Sequence, residues 1–176
     1  MNYYNRYFAE GLDNPEVYHS FLSLLFAYSD AFSLIYFKPR ENGKTTETTR
    51  EIKKRLSPFQ ISSEKVSQWP GTITMNQSGH VYRMITYKID YSKIFNIVDV
   101  LEQVNTLYDW NYPTYPEDLC FYKDGYAVFW SIVHEHMNEL YLKEDSFPGI
   151  YDFESIGAKL ISRGKVAETD LFHHIY

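Results

Sequence analysis

The segment from Tyr108 to Trp130 constrains this chain more than any other. An aromatic loop, broken by Pro113 and Pro116, runs straight into two β-rich stretches, Leu119 to Lys123 and Tyr126 to Val133. Asp124-Gly125 joins them, and glycine readily takes the positive φ that a tight hairpin turn requires. The spacing therefore predicts an antiparallel hairpin fed by a Tyr- and Trp-rich loop. Aromatics in a loop are either a lid over the core or anchors for a partner.

A chain of 176 residues predicts one domain, residues 1–176, burying roughly 70% of the surface its unfolded form exposes. Aromatics make up 18% of it, and 17 of them are tyrosines. With an apolar body and a polar tip, tyrosine suits the rim of a core, a half-wet sheet face or a binding surface. The net charge of −6 argues against nucleic acid and anionic membrane as partners, because both are held through clustered Lys and Arg. It favours solubility and a basic partner. One cysteine, Cys120, excludes an internal disulfide and fits a reducing, cytoplasmic setting. Met1 to Phe8 lacks the apolar run of a secretory leader. Tyr18 to Phe37 lacks Lys and Arg, but Asp30 near its middle is costly in lipid, so it reads as buried structure.

Asn14-Pro15-Glu16 is a helix start: a capping side chain, then proline at the first helical position, then an acid in the first turn. It predicts a helix from about Pro15 to Phe26. Ala31 to Phe37 reads as a strand stopped by Pro39. Thr46 to Leu56 reads as a polar helix ended by Pro58, its basic run Arg50 to Arg55 facing solvent. Gln60 to Trp69 holds a short strand. Thr72 to Met75 and His80 to Ile89 flank the turn-like Asn76-Gln77-Ser78-Gly79 and read as a hairpin. Ile94, Ile97, Val98, Leu101 and Val104 keep helical spacing, giving a helix from about Ser92 to Tyr108. A strand over Asn138 to Lys143, a helix Phe153 to Ile161 capped by Asp152, and a helical turn near Glu168 complete the pattern. The expectation is an α+β fold: an antiparallel sheet of about five or six strands, covered on one face by the helices Pro15 to Phe26 and Ser92 to Tyr108.

Three clusters bear on function. The aromatic loop gathers Tyr108, Trp110, Tyr112 and Tyr115 with Asp109, Glu117 and Asp118. Trp and Tyr are common interface hot spots, and acids beside them favour a basic partner. The alternative is a lid folded onto the sheet. His134-Glu135-His136, if extended, points two imidazoles to one face, where Glu139 or Glu135 would complete a metal site; otherwise it is a polar turn. Cys120 lies mid-strand with no basic neighbour to lower its pKa, which points to a structural thiol. Gly125-Tyr126-Ala127-Val128-Phe129 partly matches an aromatic RNA-binding strand, but turn and packing requirements explain the same residues.

The run from Tyr112 through Pro-Glu-Asp-Leu-Cys-Phe-Tyr-Lys-Asp-Gly-Tyr-Ala to His134-Glu135 resembles a group of small uncharacterised proteins of Gram-positive, spore-forming bacteria, some labelled stage III sporulation protein. A looser similarity, of class only, is to immunity proteins that neutralise bacterial toxins, which are small, acidic and α+β. The aromatic, acidic loop and the acidic chain point to a cytoplasmic, non-enzymatic protein without a cofactor that binds a protein partner stoichiometrically, and an immunity-type or sporulation-associated role fits that reading. Trp110, Tyr112 and Tyr115 would anchor that partner, and Asp109, Glu117 and Asp118 would steer it. The alternative is a small metal-dependent hydrolase using His134 and His136.

Overall fold

The structure, a computed structural model, describes residues 2–38, 45–72 and 81–174. Its frame is one antiparallel sheet of eight strands: β1 (Tyr3–Glu10), β2 (Ala31–Lys38), β3 (Gln60–Val66), β4 (Val81–Lys88), β5 (Glu117–Lys123), β6 (Tyr126–Ile132), β7 (Met137–Leu142) and β8 (Lys159–Ala167). Their spatial order is β3-β4-β2-β5-β6-β7-β1-β8. Four α-helices lie between strands in sequence: α1 (Pro15–Tyr28), α2 (Glu47–Leu56), α3 (Ile94–Leu101) and α4 (Ile150–Ser155). None is long and apolar enough to cross a membrane.

The α+β class and the antiparallel sheet match expectation; the strand count of five or six does not. The two additional strands are β1 and β8, which pair with each other along most of their length. β8 takes the last three residues of the expected helix Phe153 to Ile161. The cap of α4 is Gly149, and the Asp152 carboxylate reaches back to accept from the Gly149 N–H at 2.7 Å. Gly157, at φ +93°, then turns the chain out of the helix, a conformation that favours glycine.

α1 begins where Asn14 and Pro15 place it: the Asn14 side chain accepts from the Glu16 and Val17 N–H groups. Thr46 caps α2 by accepting from the Thr49 N–H. The expected helix Ser92 to Tyr108 is shorter than its pattern. A 3₁₀ turn capped by Asp90 precedes α3, which stops at Leu101. Beyond it, Val104, Leu107 and Trp110 are all buried. The Leu107 N–H donates to the Leu12 carbonyl at 3.0 Å. Apolar residues three apart suit a tighter, irregular path better than an α-helix. The strand expected at Thr72 to Met75, with its turn, lies outside the described residues apart from Thr72.

α1 covers one face of the central strands. Phe26 packs on Phe32 and Phe121, and Phe21 on Phe129 and on Phe153 of α4. Across the other face runs a row of paired residues, Cys120↔Trp130 and Trp130↔Glu139. Gly71 lies against that row. A Cβ on it would meet the Trp130 ring at 2.4 Å, and its φ is +86°. Glycine is required there on both counts.

A candidate groove and carboxylate cluster

The aromatic loop leaves α3 through a 3₁₀ turn over Leu107–Asp109. Trp110 then points inward. It is fully buried, and its indole N–H donates to the hydroxyl of Tyr18, itself buried on α1. A buried indole needs such a partner, and α1 supplies it. Asn111 to Pro116 loop back over this foundation. The Tyr115 N–H donates to the Asn111 carbonyl at 3.1 Å, and the Tyr112–Pro113 peptide is cis. The Thr49 hydroxyl of α2 donates to the Thr114 carbonyl at 3.0 Å. At its far end, the Tyr112 N–H donates to the Glu117 carboxylate at 3.2 Å.

The result is a shallow groove of about 470 Å³. Tyr108, Asp109, Tyr112 and Tyr115 line it, together with Asn105 and Asn111, and among the described residues no Lys or Arg does. The Asp109 carboxylate accepts from the Thr106 hydroxyl at 2.8 Å.

Beside the groove stand two buried carboxylates. Glu117 and Asp118 open β5, with Asp118 at φ +50°. Burial outweighs every other influence on Glu117 and, with the Asp118 charge adding to it, pushes its carboxyl up to about 7. Burial also raises Asp118, against two hydrogen bonds that favour its charged form. Those bonds come from the Trp69 indole at 2.8 Å and the Val133 N–H at 2.9 Å. Asp118 thus ties the 69–72 segment and the end of β6 to β5. One ligand atom each from Glu117, Asp118 and His134 lies within 4.8 Å of the others. Two carboxylates and an imidazole suit a divalent transition metal such as Zn²⁺.

Several predicted residues meet here, although in altered roles. His134-Glu135-His136 is a 3₁₀ turn rather than an extended run, with His136 at φ +52°. Its imidazoles therefore part: His134 faces Glu117 and Asp118, while the His136 ring lies 4.5 Å from that of Tyr108. Glu139 is engaged elsewhere, by the Arg6 guanidinium (Nε at 2.7 Å) and the Tyr141 hydroxyl. Trp110 is a core residue, the lid alternative, and leaves Tyr112 as the more exposed ring of the loop. Glu117 and Asp118 are buried instead of presenting charge to solvent: Glu117 braces the loop, and Asp118 holds Trp69 and Val133. Sequence reasoning placed both acids in the loop's set but not beside His134. Their only signal was two adjacent acids at the start of an apolar strand. Cys120 is buried, which pushes its thiol up, as expected of a structural cysteine. In the stretch likened to an RNA-binding strand, Phe129 is buried in the core and Gly125 makes the turn at φ +81°.

No family model matches the chain, and no solved structure matches it. A curated match is an alpha-L-fucosidase 2 of Arabidopsis thaliana, 30% identical over 100 residues. The match takes in 57% of this chain and 11% of that protein. The chain thus spans about a tenth of the curated relative it matches.

Proposed function

We propose that this protein is a non-enzymatic, cytoplasmic binding protein that holds a basic protein segment in the groove over residues 105–115. The observation that carries this reading is the groove itself, with three tyrosines and Asp109 on its wall, no cation among the described residues that line it, and a buried Trp110 beneath. Tyrosine rings supply rigid contact area at small entropic cost, and an uncompensated carboxylate favours Lys or Arg on the partner. A loop pinned to α2, α1 and β5 is pre-ordered, which lowers the cost of binding. An immunity-type or sporulation-associated role is the setting that the sequence resemblances suggest.

The test is capture of the tagged protein from a native lysate of the organism that encodes it, with Tyr112→Ala and Asp109→Asn alongside. A stoichiometric partner is expected whose affinity falls about tenfold or more in Tyr112→Ala, since interface hot spots exceed about 1–2 kcal/mol. A partner held equally by both variants removes the groove from consideration.

A second reading, a metal-dependent hydrolase, has one observation in its favour: His134 meets Glu117 and Asp118. In it, Glu117 and His134 supply the open ligand positions, because both Asp118 oxygens already accept hydrogen bonds. Fucoside hydrolysis does not follow from the partial match. Glycosidases set two carboxylates on either side of an open sugar site, and this pair is adjacent, buried and partly committed to holding the fold.

A further inference from the structure

The cations of α2 point to a second site. Thr49 and Lys53, four residues apart, share one stripe of the helix, whereas Glu47 and Glu51 sit two positions off it on the far side. That stripe faces the sheet. Lys53 Nζ stands 5.8 Å from the centre of the Tyr36 ring, and Tyr36 of β2 is in register with Arg83 of β4. Between α2 and these strands lies a cavity of about 240 Å³. Arg50, Lys53 and Arg83 converge on it, with Thr45, Tyr36 and Phe37 completing much of its wall. Among the described residues no acid lines it.

Arg6, Arg55, Lys143, Lys159 and Lys165 each pair with a carboxylate. Arg50, Lys53 and Arg83 make no ion pair among the described residues. Arg83 donates to the Ser63 carbonyl and hydroxyl, both at 3.2 Å, which occupies one of its nitrogens. Three like charges around one concavity repel each other, and no acid among the described residues of this chain of net charge −6 lies on its wall to offset them. An anion entering the cavity relieves that repulsion.

We infer that the cavity between α2, β2 and β4 binds a phosphoryl group carried on a small organic molecule. Guanidinium groups match phosphate oxygens in a two-pronged geometry, and the lysine adds a point charge. At about 240 Å³ the cavity falls below the roughly 300–1,000 Å³ of sites for larger ligands, which favours a compact carrier. The Tyr36 and Phe37 rings give that carrier an apolar wall.

The test is calorimetric titration of the full chain at low salt with inorganic phosphate and with phenyl phosphate. Saturable binding is expected for both, tighter for phenyl phosphate. Lys53→Gln, Arg50→Gln and Arg83→Gln should each weaken it about tenfold. Lys88→Gln removes the same formal charge from the other end of β4 and should leave it unchanged. The three side chains are exposed, so their replacement leaves folding intact, which circular dichroism checks. Absence of saturable binding in the millimolar range overturns the site, as does a Lys88→Gln loss equal to that of Lys53→Gln. Equal affinity for the two probes overturns the organic carrier.

Discussion

Replacing Trp110 separates a lid from an anchor. Its ring is fully buried and its N–H is given to Tyr18. Truncating a buried Trp to Ala costs about 3–5 kcal/mol. The Tyr18 hydroxyl, left without its donor in the core, adds a share of the roughly 1–3 kcal/mol that such a group costs. Against a total stability of about 5–15 kcal/mol, Trp110→Ala approaches unfolding, so the milder Trp110→Phe is the working variant. It keeps most of the ring and loses the donor, for an expected cost of about 2 kcal/mol. In a chain of this size that lowers Tm by about 4–8 °C. Tyr18→Phe removes the other half of the same bond. The double variant should cost about 1 kcal/mol less than the sum of the singles, because neither partner is then left unpaired. Urea unfolding followed by far-ultraviolet circular dichroism measures all three. A Trp110→Phe midpoint within about 0.5 kcal/mol of wild type, or strict additivity of the pair, refutes the buried hydrogen bond. Intact stability with lost partner binding would return Trp110 to the interface.

Other outcomes follow from the same packing. Glu117 titrates near 7 when folded against an ordinary 4.5, so between those values the native state keeps a proton the unfolded chain has lost. Stability then falls as pH rises through that window, by about 3 kcal/mol at most. Glu117→Gln should raise the urea midpoint at pH 8 and leave it nearly unchanged at pH 4.5; parallel pH profiles for the two proteins would contradict this. Gly71→Ala forces a methyl into the Trp130 ring at a positive φ and should cost about 2–4 kcal/mol, read by thermal unfolding and near-ultraviolet dichroism. Under the hydrolase reading, Zn²⁺ titration should find one equivalent bound, lost in His134→Ala and kept in His136→Ala. Equal loss in both variants excludes the Glu117–Asp118–His134 grouping.

What the sequence revealed, it revealed through local chemistry. Asn14-Pro15 started α1 and Asp124-Gly125 turned β5 into β6 because a cap and a tight turn are decided by the residues that form them. β1 and β8 escaped notice because their partners are distant in sequence. β8 carries Lys159, Arg163, Lys165 and a central Gly164, a polar pattern that suits a sheet edge yet resembles a loop when read alone. Helical spacing continued past Leu101, but the core took Val104, Leu107 and Trp110 in a tighter path. The loop's residues were visible as a group. Which of them turned inward depended on Tyr18, some 90 positions earlier, and nothing near Trp110 announced it. The meeting of His134 with Glu117 and Asp118 likewise depends on the β5–β6 pairing.

The place of β1 has a consequence for synthesis. β1 lies between β7 and β8, both made long after it. A ribosome adding about 5–20 residues per second takes roughly 6–25 s to travel from β1 to the start of β7, the earlier of its two neighbours. During that time β1 lacks its native partners, and its backbone donors and acceptors stay open to any passing strand. The hairpin of β5 and β6 completes itself locally, whereas the sheet closes only when the tail of the chain returns to its head. Chaperone dependence during translation should therefore concentrate on β1.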